Sequence, residues 1–203
     1  MNRIKETNRL LAENLVRSIM KDYDACGIAA AIIDKNGVTQ YEKFWGVRDL
    51  ESQKELDGET IFGLASVTKS FTALAIMQME ERGILKLDDP VSRYVPEFTN
   101  KNQKTVTIRH LLTHSGGFFP LPRILDQVAA EMGLDEKEVG DLAYNDALAD
   151  EGVRRVAERL DAQTEESGLN GEPGEYLSYC NDGYGLLSDI IRRHGGEPSY
   201  AEY

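Results

Sequence analysis

Residues 66–79 have the sequence SVTKSFTALAIMQM, in which a serine and a lysine three positions apart open a long apolar run. Gly83 follows shortly afterwards, and glycine is typical of the position just past a helix C-terminus. We therefore predict a helix from about Ser66 to Arg82. Because most of its faces are apolar, such a helix is normally buried in the centre of a domain.

Ser66 and Lys69 are candidates for a nucleophile and its base. The first-turn amides of a helix lack partners, and their positive field favours an alkoxide at this serine. Lys69 lies one turn along on the same face, and an apolar setting lowers the pKa of a lysine, so that its amine can accept the serine proton. The alternative is that Ser66 only caps the helix and Lys69 is solvated. The pattern recurs at Ser18 and Lys21, so the pattern alone does not decide.

Upstream of this stretch the sequence predicts a helix followed by a hairpin. Apolar residues recur at helical spacing from about Arg3 to Lys21. Residues 27–34 and 38–45 are β-prone, and the Asn36-Gly37 pair between them is typical of a hairpin turn. The first strand is nearly all apolar, as expected if both of its faces are covered.

Downstream the pattern is mostly helical. The predicted segments are a short helix from Thr107 to Thr113 closed by Ser115-Gly116-Gly117, an acidic helical region from Ile124 to Leu160, a loop at 172–174 and a helix from about Asp182 to Arg193.

Tyr179 and Asn181 lie between that loop and the last helix. A tyrosine near a Ser-Lys pair can relay a proton to a leaving group, and an asparagine amide can hold a substrate carbonyl. The alternative is ordinary core packing for Tyr179 and a helix cap at Asn181.

Four motifs together resemble the class C β-lactamase family of penicillin-recognising serine hydrolases, which also includes D-Ala-D-Ala carboxypeptidases, D-aminopeptidases and esterases. They are Ser66-x-x-Lys69, IRHLLTHSGG at 108–117, Pro173-Gly174 and YCNDGYGLL at 179–187. Each motif is short, but the order and the spacing are those of the family. The resemblance runs from about Ala29 to the C-terminus.

The resemblance implies a role for each candidate residue. Ser66 is the acylated nucleophile, and its backbone N–H supplies half of an oxyanion hole. Lys69 is the general base or proton shuttle, while Tyr179 activates the Ser66 hydroxyl and protonates the leaving group. Asn181 binds the substrate amide. The implied substrates are small molecules or peptides, namely β-lactams, D-amino-acid peptides or small esters, and no cofactor is implied.

The implied fold class is α/β (α+β) and β-lactamase/transpeptidase-like, with a helical subdomain and the N-terminal hairpin of an antiparallel sheet. We expect residues 1–203 to form one domain that is incomplete at the C-terminus. Within it we expect the N-terminal helix and hairpin in 1–60 and a mostly helical region in 61–203.

The family's third motif, a Lys or His followed by Ser/Thr-Gly on a later strand, has no counterpart in this sequence. His114-Ser115-Gly116 matches formally but precedes Tyr179, and His194-Gly195-Gly196 resembles a helix end. We therefore expect a second chain or fragment to supply the remaining strands and complete the site. The alternative is a non-catalytic penicillin-binding or sensor-type domain, or an inactive truncated one.

The net charge and the apolar pattern limit the classes of partner and the cellular location that the sequence predicts. The net charge of −12 disfavours nucleic acid and anionic membranes as partners. No apolar run has the length of a signal peptide or a membrane span, which predicts a cytoplasmic protein, although a removed leader would leave the same sequence. This favours an esterase or peptidase inside the cell over an enzyme of the cell wall.

His110, His114 and Cys180 are predicted to have structural roles. His110 and His114 stand four apart, but Leu111 occupies the position where a zinc hydrolase of that spacing has glutamate, so we expect no metal site. Cys26 and Cys180 are expected to be free thiols, with a single disulfide as the alternative. Cys180 is expected to be a small packed side chain.

Overall fold

The computed structural model describes residues 6–99, 105–121, 128, 130–133, 146–166 and 171–203. They group into two compact units that divide between Gly63 and Leu64. The first unit holds α1 (Glu6–Asp22), β1 (Gly27–Ile33) and β2 (Thr39–Gly46), and the second holds α2 (Thr68–Glu81), α3 (Ile108–Leu112), α4 (Asp146–Glu166) and α5 (Asn181–His194). These bounds confirm the predicted order of elements. Residues 3–5 and much of the predicted helical region 124–160 lie outside the described residues.

The predicted hairpin is confirmed. β1 pairs antiparallel with β2, with Ile28 opposite Trp45. The Asp34 carboxylate accepts hydrogen bonds from two N–H groups of the turn, those of Asn36 at 2.8 Å and Val38 at 3.0 Å. Gly37 has φ +78°, a backbone conformation that glycine adopts without strain. The Asn-Gly turn chemistry therefore sets this connection.

The expectation that β1 is covered on both faces is not met in this chain. Successive side chains of a strand point to opposite faces, yet the neighbours Ala31 and Ile32, which are in regular register, are both exposed. The two-stranded pair is the only sheet in the described part of the chain, and a lone two-stranded sheet cannot cover both of its own faces.

The core of the second unit lies around α5, which packs against α2, α3 and α4. Gly183 permits the close approach to α3, because a Cβ there would lie 3.3 Å from Cδ2 of Leu111. The largest fully buried side chains of this unit include Phe98, Phe118, Ile76, Met79, Ile108, Leu160, Leu186, Leu187, Ile190 and Ile191. α5 therefore holds its N-terminal end, and the loop that precedes it, in a fixed place within this unit.

The prediction that α2 is buried in the centre of a domain is wrong for this chain. One face, which includes Ile76 and Met79, is fully buried, whereas Phe71, Leu74 and Met77 are 60%, 59% and 47% exposed. α2 also begins at Thr68 rather than Ser66. As predicted, it stops before Gly83, which has φ +73°.

Across the described part of the chain, every helix falls short of the length and apolarity that a membrane span needs.

Candidate active site

Ser66 lies on a strained turn that leads into α2. Residues 65–67 form a short 3-10 turn, and Ala65 has φ +45°, an uncommon conformation for a residue with a Cβ. Such strain costs of order 1–3 kcal/mol and is found where function requires a special backbone. Val67, not Ser66, is the N-cap of α2, and no side-chain cap is present. The capping alternative for Ser66 is therefore wrong, and its hydroxyl is free for other contacts.

Three of the four predicted site residues meet at the Ser66 hydroxyl. Lys69 Nζ lies 3.3 Å from Ser66 Oγ and donates to it. The Tyr179 hydroxyl donates to the same Oγ at 2.8 Å. Lys69 Nζ also lies 5.0 Å from the centre of the Tyr179 ring and 5.5 Å from that of Tyr184. Lys69 is thus engaged with the site and is not merely a solvated first-turn residue.

Tyr179 has the electrostatic environment of a proton-transfer group. Hydrogen bonding to Lys69, and after it to Ser66, lowers the pKa of Tyr179 below its usual value near 10. Its side chain is 43% exposed, so the core-packing alternative is wrong. A tyrosine whose anion is stabilised beside a serine hydroxyl can accept that proton and later return it.

His114 holds the segment that carries Tyr179. Its carbonyl oxygen accepts the N–H of Ser178 at 2.7 Å, and its Nδ1 accepts the N–H of Cys180 at 3.2 Å. Its ring lies against that of Tyr179, with the ring centres 4.2 Å apart and the planes inclined by 32°. The sequence predicted a structural histidine here, but it did not predict contact with the site. The only sequence signal was the position of His114 within the motif at 108–117.

Further hydrogen bonds tie this segment to the rest of the second unit. The Ser178 hydroxyl donates to the carbonyl of Phe118 at 2.5 Å, and the N–H of Gly174 donates to the carbonyl of Ser115 at 2.7 Å. The Tyr184 hydroxyl donates to the carbonyl of Leu112 at 2.9 Å. The motif at 108–117 therefore supports the loop that positions Tyr179.

Asn181 is the first residue of α5, two positions after Tyr179, and its side chain is exposed. Cys180 is the N-cap, so the capping alternative for Asn181 is wrong. Asn181 makes no side-chain hydrogen bond within the described ranges, so the structure leaves its amide open and does not join it to the Ser66 hydroxyl. The next residue, Asp182, is buried and paired with Arg159, which anchors this end of α5.

His110 has a structural role, as predicted, and the predicted free thiols of Cys26 and Cys180 are confirmed. His110 Nδ1 accepts the N–H of Thr107 at 3.2 Å in a capping box at the start of α3. No group of three or more metal-binding side chains occurs among the residues that the structure describes. Cys26 and Cys180 are free thiols. Cys180 is buried, and burial raises the pKa of its thiol, which opposes a nucleophilic role.

Comparison with known proteins places these features in one family. Residues 12–203 match the family model described as Beta-lactamase. The chain is 32% identical over 179 residues to Esterase EstB of Burkholderia gladioli, covering 84% of this chain and 41% of the relative. It is 31% identical over 202 residues to Penicillin-binding protein 4* of Bacillus subtilis, covering 98% of this chain and 39% of the relative.

A solved structure shows the same fold. The octameric penicillin-binding protein homologue from Pyrococcus abyssi is 33% identical, with a TM-score of 0.75 over 98% of this chain and 41% of that chain. The chain thus spans about two fifths of the length of these relatives. The fold is β-lactamase/transpeptidase-like, and the protein described by these residues belongs to the beta-lactamase family of serine hydrolases.

Proposed function

We propose that this chain carries the nucleophilic half of a serine hydrolase site, and that the enzyme works through an acyl intermediate on Ser66. The observation that carries the proposal is the pair of contacts at Ser66 Oγ, with the Tyr179 hydroxyl at 2.8 Å and Lys69 Nζ at 3.3 Å. Two groups able to hold and return a proton therefore flank one exposed hydroxyl.

In the proposed reaction, the Tyr179 phenolate, stabilised by the Lys69 ammonium, accepts the one proton of Ser66 as Oγ attacks the carbonyl carbon of an ester or amide. The backbone N–H of Ser66 stabilises the oxyanion, and Asn181 binds the substrate amide. Tyr179 then protonates the leaving group as the carbonyl–leaving-group bond breaks. Water attacks the acyl carbon in the second half of the cycle and releases the acid.

The substrate class we propose is small esters and amides, including β-lactams and D-amino-acid peptides. The names of the relatives, an esterase and a penicillin-binding protein, support this range without selecting within it. The cytoplasmic location and the exclusion of nucleic-acid partners stay predictions.

We also propose that the residues 1–203 form one incomplete domain, and that a second chain or fragment completes the sheet and the site. Two observations support this. The relatives are more than twice as long as the matched region. The apolar side chains of Phe71, Leu74, Ile32 and Ile33 are all more than half exposed.

Intact mass and denaturing electrophoresis of the purified protein test the proposal of a second chain or fragment. A companion fragment is expected, and a single inactive species of 22.7 kDa would contradict it.

A substrate panel tests the proposed chemistry. The chain with its complement is expected to turn over at least one ester, β-lactam or D-peptide, and Ser66→Ala is expected to abolish turnover. Ser18→Ala is the matched control, because Ser18 has the same Ser-x-x-Lys spacing but donates to Asp22 at 3.1 Å. A stable penicillin adduct on Ser66 without turnover would contradict the hydrolase and favour the sensor-type alternative.

A further inference from the structure

His114 accepts hydrogen bonds from the backbone on both sides of Tyr179. The N–H of the residue before Tyr179 donates to the His114 carbonyl at 2.7 Å, and the N–H of the residue after it donates to His114 Nδ1 at 3.2 Å. The two bonds fix the backbone from which the Tyr179 side chain reaches Ser66.

The ring of His114 also supports the side chain itself. It lies between two tyrosine rings, with its centre 4.2 Å from that of Tyr179 and 4.9 Å from that of Tyr184. The backbone of His114 has φ +53°, a left-handed conformation that is uncommon and strained for a residue with a Cβ.

We propose that His114 is a positioning residue that holds Tyr179 on Ser66 only while its ring is neutral, so that acid switches the site off. This regulation rests on the proposed function of Ser66. Nδ1 accepts a hydrogen bond in the folded protein, which places the proton of the neutral ring on Nε2. A second proton has to bind Nδ1, which would then face the N–H of Cys180 as donor against donor.

The surroundings of the ring oppose that second proton. The charged and titratable groups that face it within the described residues are Lys69 from α2, Tyr179 and Cys180 from the preceding loop and Tyr184 from α5. Burial, and after it the positive charge of Lys69, lower the pKa of His114 below its usual value near 6.5. The neutral ring therefore prevails at pH 7, and a fall in pH forces a second cation beside Lys69.

Two variants of His114 test the hydrogen bond at Nδ1 and the ring contact with Tyr179 separately. His114→Asn keeps an acceptor near the position of Nδ1, tolerates a positive φ and does not titrate. His114→Phe keeps a ring against Tyr179 but has no acceptor. The measurement is the rate at which a fluorophosphonate labels Ser66, followed by mass spectrometry from about pH 5 to about pH 8.5 across the titration range of histidine.

At neutral pH, His114→Phe is expected to slow labelling by about 10- to 100-fold, since small misplacements of a catalytic group cost rates of this order. His114→Asn is expected to recover most of that loss. The unmodified chain is expected to lose its rate on the acid side, and this acid limb is expected to be missing in His114→Asn. Equal rates and the same acid limb in all three proteins would overturn the inference.

A second readout does not depend on activity. In two-dimensional NMR the backbone amide of Cys180 is expected to shift as pH falls in the unmodified chain and to stay in place in His114→Asn. This titration decides the inference if His114→Phe does not fold. If the unmodified chain is not labelled even with its complement, the proposed function fails, and the Cys180 amide still tests the hydrogen-bond switch. A Cys180 amide that does not respond to pH would overturn it.

Discussion

Tyr179 brings its hydroxyl to Ser66 across 113 positions of sequence, and the two residues meet at 2.8 Å. The sequence predicted both residues because their side-chain types suit proton transfer and because their motifs follow the order of a known family. It could not predict the left-handed backbone of Ala65 or the hydrogen bonds between His114 and the Tyr179 loop. The contacts of His114 join segments that are distant in sequence.

The Tyr179 hydroxyl is expected to contribute to acylation far more than to stability. Tyr179→Phe removes the group that shares the Ser66 proton, so fluorophosphonate labelling of Ser66 is expected to fall by about 10²- to 10⁴-fold. The side chain is 43% exposed, so the free energy of unfolding is expected to change by less than about 0.5 kcal/mol.

Tyr176 provides a matched control in the same loop. Its side chain is 58% exposed, and Tyr176→Phe removes the same hydroxyl from a position without contact to Ser66 in the described residues. This variant is expected to label at the unmodified rate. Equal labelling rates for Tyr179→Phe and Tyr176→Phe would remove Tyr179 from the mechanism.

Two histidines are expected to make the folded state sensitive to mild acid. Burial is the main cause that lowers the pKa of both His110 and His114 below the usual value of 6.5. The unfolded chain therefore binds protons more readily than the folded one below about pH 6.5, and stability is lost as pH falls through that window. Urea unfolding at about pH 7.5 and about pH 5.5 measures this. Stability that is unchanged or higher at the lower pH contradicts the expectation, and His114→Asn is expected to lose less than the unmodified chain.

At the scale of the element, α2 shows both the strength and the limit of pattern analysis. The apolar run and Gly83 predicted the helix and its end, but the two residues assigned to its start belong to a 3-10 turn. Ala65, the first residue of that turn, has φ +45°. The pattern also predicted a buried helix, because most of its faces are apolar. Apolar side chains do not show, however, whether this chain itself contains the residues that bury them.

Two methionines on α2, one buried and one partly exposed, allow a test of how well this chain covers each face of the helix. Met79 is fully buried, and Met79→Ala is expected to lower the free energy of unfolding by about 2–5 kcal/mol, since it leaves a cavity. Met77 is 47% exposed, and Met77→Ala is expected to cost less than about 0.5 kcal/mol in the chain alone. Urea unfolding of the two variants provides the comparison.

The same pair distinguishes the chain alone from a completed domain. If a complement covers the Met77 face, Met77→Ala is expected to weaken binding of that complement. Equal and large costs for both variants in the chain alone would mean that both faces of α2 are already covered, and would contradict the need for a complement.

At the scale of the whole molecule, the sequence predicted the fold class, the order of the described elements and the residues around Ser66. The fold class followed from motifs spread from Ser66 to residue 187, because a shared order of motifs constrains the topology between them. The exposure of β1 and α2 was not predicted, because the apolar pattern of both elements predicted that they are covered. The chain spans about two fifths of the length of the relatives that it matches.

The central claim is that Ser66 is the nucleophile and that residues of this chain activate it. The direct measurement is fluorophosphonate labelling of the 203-residue chain together with its complement, with intact mass and peptide mapping of the adduct. We predict one adduct, on Ser66, that persists in Ser18→Ala and is lost in Ser66→Ala. An adduct on another serine, or no adduct on the assembly of chain and complement with Ser66 intact, would contradict the claim.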